Sequence, residues 1–322
     1  MVTVNEYHKH IFSKAFRIEY YCGNIKPTTI IVSGDRDSDK YSNFTLFEQK
    51  NINNLTPLMK RYHTELLMYF NMIKNTIDKN KYFYYIFGDT TLPLTKVPYL
   101  IKARDAYYHQ SDTISIPPPI EGVTHTLLRL NSPRHWSGVH EINSNDTPFH
   151  KKHNKLIWRG SSTGTRAGIL ESLQRHPNKN IDIKFVNMCQ GVDAKKFIIV
   201  PRLSMRELLE HKFILSIEGN DVASDLKWLL YSNSVVFMCR PTKCSWAMED
   251  LLIPFVHYVP IKNDYSDLDE KYNWAINNLK KCNEIAQNGK RFIHHFLNEH
   301  NEMEITKHVI IRYMKNLDIV VE

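Results

Sequence analysis

The feature that most constrains the fold is the run over residues 155–166, where an apolar strand pattern enters a loop of small and hydroxyl residues and then a helical pattern. The loop consists of Gly160, Ser161, Ser162, Thr163 and Gly164. Free N–H groups and the helix dipole at such a junction favour an anion. Arg159 and Arg166 flank the loop and are suited to phosphate oxygens. The run predicts a phosphate-bearing ligand; the alternative is a solvated turn with surface arginines.

Strand and helix patterns alternate from residue 156 onward. Further strands are predicted over 183–186, 212–217, 234–238 and 256–260, and helices over 222–231, 246–252, 266–281, 283–298 and 303–316. This order predicts a parallel sheet with right-handed crossovers. Ligands bind beyond the carboxyl ends of the strands in such sheets, which is where Gly160, Gly219 and Pro260 fall.

Length and composition narrow the class of protein. A chain of 322 residues with 42% apolar residues accommodates two globular domains, with a boundary expected over residues 143–154. The net charge of +8 fits a polyanion, a membrane surface or a phosphate-bearing small molecule. The five cysteines show neither a disulfide framework nor zinc spacing. With no leader pattern and no apolar stretch of membrane length, a cytoplasmic location without a membrane span is expected.

Four segments resemble glycosyltransferase family 90, which includes protein O-glucosyltransferases, fungal capsule xylosyltransferases and bacterial and algal-virus relatives. A weaker match at Asp89 and at Arg134 and His135 extends into the first half of the chain. The four segments lie within residues 158–166, 212–220, 227–236 and 254–268.

The resemblance implies an α/β protein of GT-B architecture, with two Rossmann-like domains facing across a cleft. Residues 1–150 would bind the acceptor and 151–300 the UDP-sugar, while 301–322 would form a helix that packs back on the N-terminal domain. It implies an inverting, metal-independent transfer from a UDP-sugar to a hydroxyl of an oligosaccharide or glycoprotein glycan, with no cofactor beyond the donor. Xylose is favoured over glucose because the Lys- and Asn-rich composition and the missing leader fit a cytosolic glycan acceptor. If a virus encodes the protein, the expected location is the host cytoplasm.

Inverting transfer needs a carboxylate or histidine beside the acceptor hydroxyl. Asp89 follows an apolar strand and matches an acidic position of the family, and partial desolvation is expected to raise its pKa. The alternative is an aspartate that caps a turn. His135 is predicted as the base or as a sugar contact, or else as a structural histidine.

The resemblance and the loop chemistry together assign a set of donor contacts. Many family members carry Ser-x-Arg after the strand that ends at Gly219, whereas this chain has Asp225 in place of that arginine. The phosphate role would therefore shift to Arg159, Arg166 and Lys227, unless Lys227 lies on a solvated helix face. Glu249 is predicted at the ribose, with a surface glutamate as the alternative. The complete set is Arg159, Gly160, Ser161, Ser162, Thr163, Gly164, Arg166, Gly219, Lys227, Arg240, Pro241 and Glu249.

Three rival interpretations are kept. Asp35 and Asp37 form a D-x-D pattern after an apolar strand, as in metal-dependent GT-A enzymes, but are interpreted as a polar loop without metal. A catalytically inactive carbohydrate- or nucleotide-binding relative is the second. The third is a basic nucleic-acid-binding protein, for which no recognised motif is present. The sequence leaves the acceptor, the linkage and the oligomeric state open.

Overall fold

The computed structural model describes residues 2–23, 25–32, 41–89, 97–108 and 113–321. Its α-helices are α1 (Val4–Ile11), α2 (Lys14–Cys22), α3 (Phe44–Gln49), α4 (Pro57–Ile73), α5 (Ser132–His135), α6 (Ser137–Asn145), α7 (Arg166–Leu170), α8 (Met205–Leu209), α9 (Leu226–Tyr231), α10 (Leu268–Asn277), α11 (Leu279–His294) and α12 (Glu299–Asn316). Its strands are β1 (Thr28–Val32), β2 (Tyr41–Asn43), β3 (Tyr82–Tyr85), β4 (Tyr99–Ile101), β5 (Ala103–Asp105), β6 (Thr126–Leu127), β7 (His153–Ser161), β8 (Ile181–Asn187), β9 (His211–Leu215), β10 (Val235–Met238), β11 (Lys243–Ser245), β12 (Val259–Pro260) and β13 (Leu317–Val321). The D-x-D residues Asp35 and Asp37 lie outside the described residues.

The second half of the chain is built on a five-stranded sheet in the order β12-β10-β9-β7-β8, in which every neighbouring pair is parallel. Phe213 and Phe237 pack into a core on one face of this sheet. Ile157, Ile214 and Val236 point to the other face and join the larger core shared with the first half. Burial on both faces explains the nearly continuous apolar strands and confirms the predicted parallel sheet.

The first half contains a four-stranded sheet in the order β2-β3-β4-β6. Strands β3, β4 and β6 are parallel, and β2 is an antiparallel edge strand. An antiparallel pair, β5 with β11, joins the two halves through the register of Arg104 with Cys244. The short β5 follows β4 after one residue, so the end of β4 is held next to the second half of the chain.

Two sequence predictions of local structure are wrong. The helix expected over 246–252 is only a single 3-10 turn at Glu249–Leu251, preceded by β11. Met248 has a left-handed backbone, with φ of 54°, which interrupts any helix there. The helix expected to fill 301–322 ends at Asn316, and β13 follows because its β-branched residues pair in parallel with β1.

Helix α12 lies against α2 and α4 in the first half of the chain. The guanidinium of Arg17 in α2 donates two hydrogen bonds of 2.6 Å to the carboxylate of Glu302 in α12, and both side chains are buried. A bidentate pair fixes orientation as well as distance, so the chain's last helix is anchored to its second. Across the described ranges, no helix is both long and apolar enough to cross a bilayer.

Candidate functional site

The loops after β7 and β9 meet at the carboxyl edge of the parallel sheet. Gly164 has φ of +67°, and a Cβ there would lie 2.6 Å from the carbonyl oxygen of Gly219. Only glycine allows this approach without strain. Arg166 ties the loops together by donating to the carbonyls of Ser161 (3.3 Å) and Glu218 (3.1 Å) and to the hydroxyl of Thr163 (3.2 Å).

A cavity of about 410 Å³ beside these loops is rich in arginine. Arg159 donates to the carboxylate of Asp182 at 2.5 Å, so two of the arginines are already engaged within the protein. Arg134 and Arg202 are exposed, and within the described part of the chain their guanidinium groups form no hydrogen bond or ion pair. The lining residues are Arg134, Trp158, Arg159, Gly160, Ser161, Thr163, Arg166, Arg202, Leu203, Leu208, Ser224, Asp225 and Trp228.

A second cavity, of about 310 Å³, is lined in part by the segment that joins β9 to α9. The carboxylate of Glu218 accepts hydrogen bonds from the backbone N–H groups of Thr242 (3.0 Å) and Lys243 (3.1 Å) on its wall. Gly219, Arg240 and Glu249 also line it. The cavity is thus lined by both a cationic side chain and carboxylates.

Glu249 and Lys227, both predicted at the nucleotide, contact each other. The Lys227 ammonium lies 2.6 Å from a Glu249 carboxylate oxygen, and both side chains are almost fully buried. The Ser245 backbone N–H also donates to Glu249, at 2.7 Å. Burial raises the pKa of Glu249, but Lys227 and the Ser245 hydrogen bonds outweigh it and leave the pKa below its ordinary value. This pair therefore supports the wall of the cavity.

Asp89 stands between the two sheets. It follows β3, and its carboxylate accepts hydrogen bonds from the Lys102 ammonium at 2.9 Å and from the Asn220 amide at 3.3 Å. Lys102 belongs to the first half, whereas Asn220 follows β9 in the second. The Asp89 side chain is 37% exposed, so its carboxylate is accessible to solvent while a hydrogen bond from each half fixes its position.

The pKa of Asp89 is lowered, which is opposite to the expected direction. Burial raises this pKa, but the charge and hydrogen bond of Lys102, the Asn220 hydrogen bond and the charge of Arg134 together outweigh burial. The carboxylate is therefore ionised near neutral pH and can accept a proton, although the nearby cations make it a weaker base than expected.

His135 is buried, and neither of its ring nitrogens has a hydrogen-bond partner among the described residues. Burial lowers its pKa far below the ordinary value, and the charges of Lys227, Lys102 and Arg134 add to the effect. The ring is therefore neutral, and its free lone pair is able to accept a hydrogen bond.

The family model described as Glycosyl transferase family 90 matches residues 129–322, more than half of the chain. The chain belongs to glycosyltransferase family 90. It is 28% identical over 234 residues to O-glucosyltransferase LpsA of Dichelobacter nodosus, covering 72% of this chain and 66% of LpsA.

Two further relatives are similar to this chain over a smaller fraction of their own length than LpsA is. Uncharacterized protein 035R of Invertebrate iridescent virus 3 is 32% identical over 179 residues, which is 49% of this chain and 16% of that protein. Protein O-glucosyltransferase 2 of Danio rerio is 26% identical over 174 residues, which is 49% of this chain and 35% of that protein. The family 90 chain therefore spans only part of these relatives. Their names assign sugar transfer to LpsA and to the Danio rerio protein.

Several predicted loop residues of this family 90 member line the arginine-rich cavity, and others do not. Gly160, Ser161 and Thr163 line it, whereas Ser162 is buried and its hydroxyl accepts a hydrogen bond from the backbone N–H of Cys189 at 2.8 Å. Pro241 is buried and lines neither cavity. The loop therefore presents only part of its polar surface to a ligand.

Sequence reasoning missed Lys102, Asp221 and Arg202 in this family 90 site. Lys102 is a single lysine inside an apolar run over 97–103, which was a signal of a buried, paired cation. Asp221 follows the recognised Gly219-Asn220 segment, but its partner is far away in sequence. Arg202 stands just before the capping box of α8 and has no motif of its own.

Proposed function

We propose that this protein transfers a sugar from a UDP-sugar to a hydroxyl of a glycan acceptor, with inversion at the anomeric carbon. The observation that carries the proposal is the placement of Asp89: it extends from the first sheet and is hydrogen-bonded to Asn220, one residue beyond the loop contact at Gly219. A base is thus held beside the loop after β9, at the carboxyl edge of a parallel sheet, which is the usual location of nucleotide sites.

The proposed architecture is GT-B. Residues 1–150 form the acceptor-binding domain, 151–300 the UDP-sugar-binding domain, and 301–322 a terminal segment that returns to the first domain. Support comes from the two separate sheets and from the contact of α12 with α2 and α4. In this arrangement the donor approaches Asp89 from the β9 side and the acceptor from the β3 side.

In the proposed reaction, the acceptor hydroxyl gives its proton to the Asp89 carboxylate and its oxygen bonds to the anomeric carbon. The bond from that carbon to the UDP oxygen breaks, and UDP leaves with the electron pair. Asp89 is favoured over His135 as the base because it is ionised and reaches the cleft, whereas His135 is buried. The same burial keeps the ring nitrogens of His135 out of both cavities, so the structural alternative is favoured for this histidine.

The leaving diphosphate needs preorganised donors. We assign Arg134 and Arg202 as its principal cationic partners because Arg159 and Arg166 are engaged within the protein. The loop borders the same cavity through Ser161 and Thr163, while the backbone N–H groups of Ser162 and Gly164 already donate to Asn187 and Gln190. The cavity that contains Glu218, Arg240 and Glu249 is assigned to the nucleoside.

The sugar is assigned to glucose or xylose. The names of LpsA and the Danio rerio relative favour glucose, whereas the composition favoured xylose. One pocket wall near a hydroxymethyl group is enough to separate the two. Both donors therefore belong in the assay.

The test measures UDP release and thermal stabilisation with UDP-glucose and UDP-xylose, each with and without EDTA. We expect one UDP-sugar to stabilise the protein and to turn over in EDTA. Asp89→Asn is expected to bind that donor as the parent does while losing about 10²–10⁴-fold in turnover. Asp78→Asn, at an exposed turn of the same half, is the matched control.

Turnover only after Mn²⁺ is added would contradict metal independence. A parent protein that binds UDP-sugar without turnover would instead be a binding relative. Asp89→Asn with the parent's turnover would contradict the assignment of the base.

A further inference from the structure

One buried lysine joins a carboxylate from each half of the molecule. Lys102 lies between β4 and β5, and its side chain is only 2% exposed. Its ammonium lies 2.9 Å from Asp89 Oδ1 and 3.2 Å from Asp221 Oδ2. Asp221 follows β9 and is itself 3% exposed.

This arrangement is unusual for a lysine. Lysine is almost never fully buried unless it is paired, because removing its charge from water is unfavourable. Here two carboxylates offset that cost, and they belong to opposite sides of the cleft. The backbone N–H of Val222 also donates to Asp221 at 2.6 Å, which fixes the far end of the bridge.

Other titratable groups face the same bridge. Tyr62 of α4 lies near Lys102, Asp89 and Asp221. Arg134 and His135 of α5 face it as well, and Lys227 of α9 adds its charge at His135. Arg134 is exposed and His135 is neutral, so the cation in direct, buried contact with Asp89 is Lys102.

We propose that Lys102 is a positioning residue that fixes the Asp89 carboxylate at the cleft and anchors it, through Asp221, to the loop after β9. The inference rests on the proposed function, since it concerns the base of that reaction. Lys102 lines neither cavity, so it acts on the base without contacting the donor.

The experiment compares the parent with Lys102→Met/Asp221→Asn and Asp221→Asn. The double variant removes the cation together with the buried carboxylate that it neutralises, so no uncompensated charge is left in the interior. Asp221→Asn is the matched control, because it removes the anchor but keeps the Lys102 contact with Asp89. For each protein, kcat and KM are measured between about pH 4 and pH 8, together with UDP stabilisation and the melting temperature.

In the double variant we expect the acidic limb of kcat/KM to move up by about 1 pH unit, because Asp89 loses its adjacent cation. We also expect kcat to fall by about 10²-fold through misplacement of the base, with UDP stabilisation unchanged. In Asp221→Asn, the acidic limb of kcat/KM should not move to higher pH. A double variant whose limb and kcat equal those of Asp221→Asn would overturn the positioning role. A parent without UDP-sugar turnover would instead remove the proposed function, and the inference with it.

Discussion

The charged side chains around the site differ in the partners they already have, and this decides what each can do. Lys227 is enclosed against Glu249, so its removal leaves a buried, unpaired carboxylate. We expect Lys227→Met to lower the free energy of unfolding by about 3–5 kcal/mol, measured by urea denaturation. Lys227→Met/Glu249→Gln should recover part of the loss, and Lys280→Met, at an exposed position, should change little. An unchanged urea midpoint for Lys227→Met would show a solvated lysine instead.

Arg202 has the opposite character, since it is exposed and lines the arginine-rich cavity without a partner in the described chain. If it binds the diphosphate, Arg202→Gln should raise the Kd for UDP about tenfold, the loss of one hydrogen bond to a charged group. Calorimetric titration measures this. Arg206→Gln, exposed on α8 and outside the cavity lining, is the control. Equal Kd values for the two variants would remove Arg202 from the phosphate site.

Lys227 and Arg202 show what the sequence can and cannot predict about single residues of the site. The motif located the loop correctly, because strand, small residues and helix are local signals. It selected Arg159, Arg166 and Lys227 by type, but their partners are Asp182, the loop carbonyls and Glu249. Such pairings depend on tertiary contacts, so the sequence could not separate an engaged cation from a free one.

At the scale of elements, the junction between the β7 and β9 loops depends on one glycine. Gly164→Ala would place a methyl group 2.6 Å from a backbone oxygen at a positive φ. We expect a loss of about 2 kcal/mol or more in unfolding free energy, and weaker UDP binding because the loop must move. Urea denaturation and the Kd for UDP are the measurements.

Gly168 in α7, two residues beyond the helix start, provides the control. A Cβ there meets nothing within 4 Å, and no positive φ is involved. Gly168→Ala should therefore raise the free energy of unfolding by up to about 1 kcal/mol through its higher helix propensity. Its Kd for UDP should equal that of the parent. If both alanine variants behave alike, the contact between Gly164 and Gly219 is not a constraint on the loop.

The predictions of helices and strands were correct where the sequence pattern was periodic. They were wrong where the backbone conformation of a single residue or a pairing strand far away in sequence determines the structure. The central strands β9 and β10 are apolar on both faces and were found from the sequence. The turn at Glu249–Leu251 depends on the left-handed backbone of Met248, which no periodicity reveals. The sequence pattern ended the last helix at residue 316, as observed, but did not reveal β13, because that strand depends on β1, almost the whole chain away.

At the scale of the whole molecule, buried histidines connect the first helix to the second half of the chain. His8 in α1 and His257, between the 3-10 turn and β12, are buried with their Nε2 atoms 3.0 Å apart. The Ile253 backbone N–H donates to His257 Nδ1, so the proton of His257 is on Nε2 and is donated to His8. His295 and Arg291 also face His8. Neither imidazole of the pair can be protonated without losing this arrangement.

Burial, with the charges of His295 and Arg291, lowers the pKa of His8 to about 4. The unfolded chain has an ordinary histidine pKa near 6.5, so between about pH 6.5 and pH 4 it binds more protons than the folded protein. Stability from this group is present above about pH 6.5 and falls as the pH drops towards 4. Between pH 6.5 and pH 5, the free energy of unfolding should therefore fall less in His8→Gln than in the parent, by up to about 2 kcal/mol. Urea denaturation at each pH measures this difference. His10→Gln, exposed on the same helix, should keep the parent's slope. A parent-like slope in His8→Gln would mean that folding does not lower the pKa of His8, and would contradict its burial in this pair.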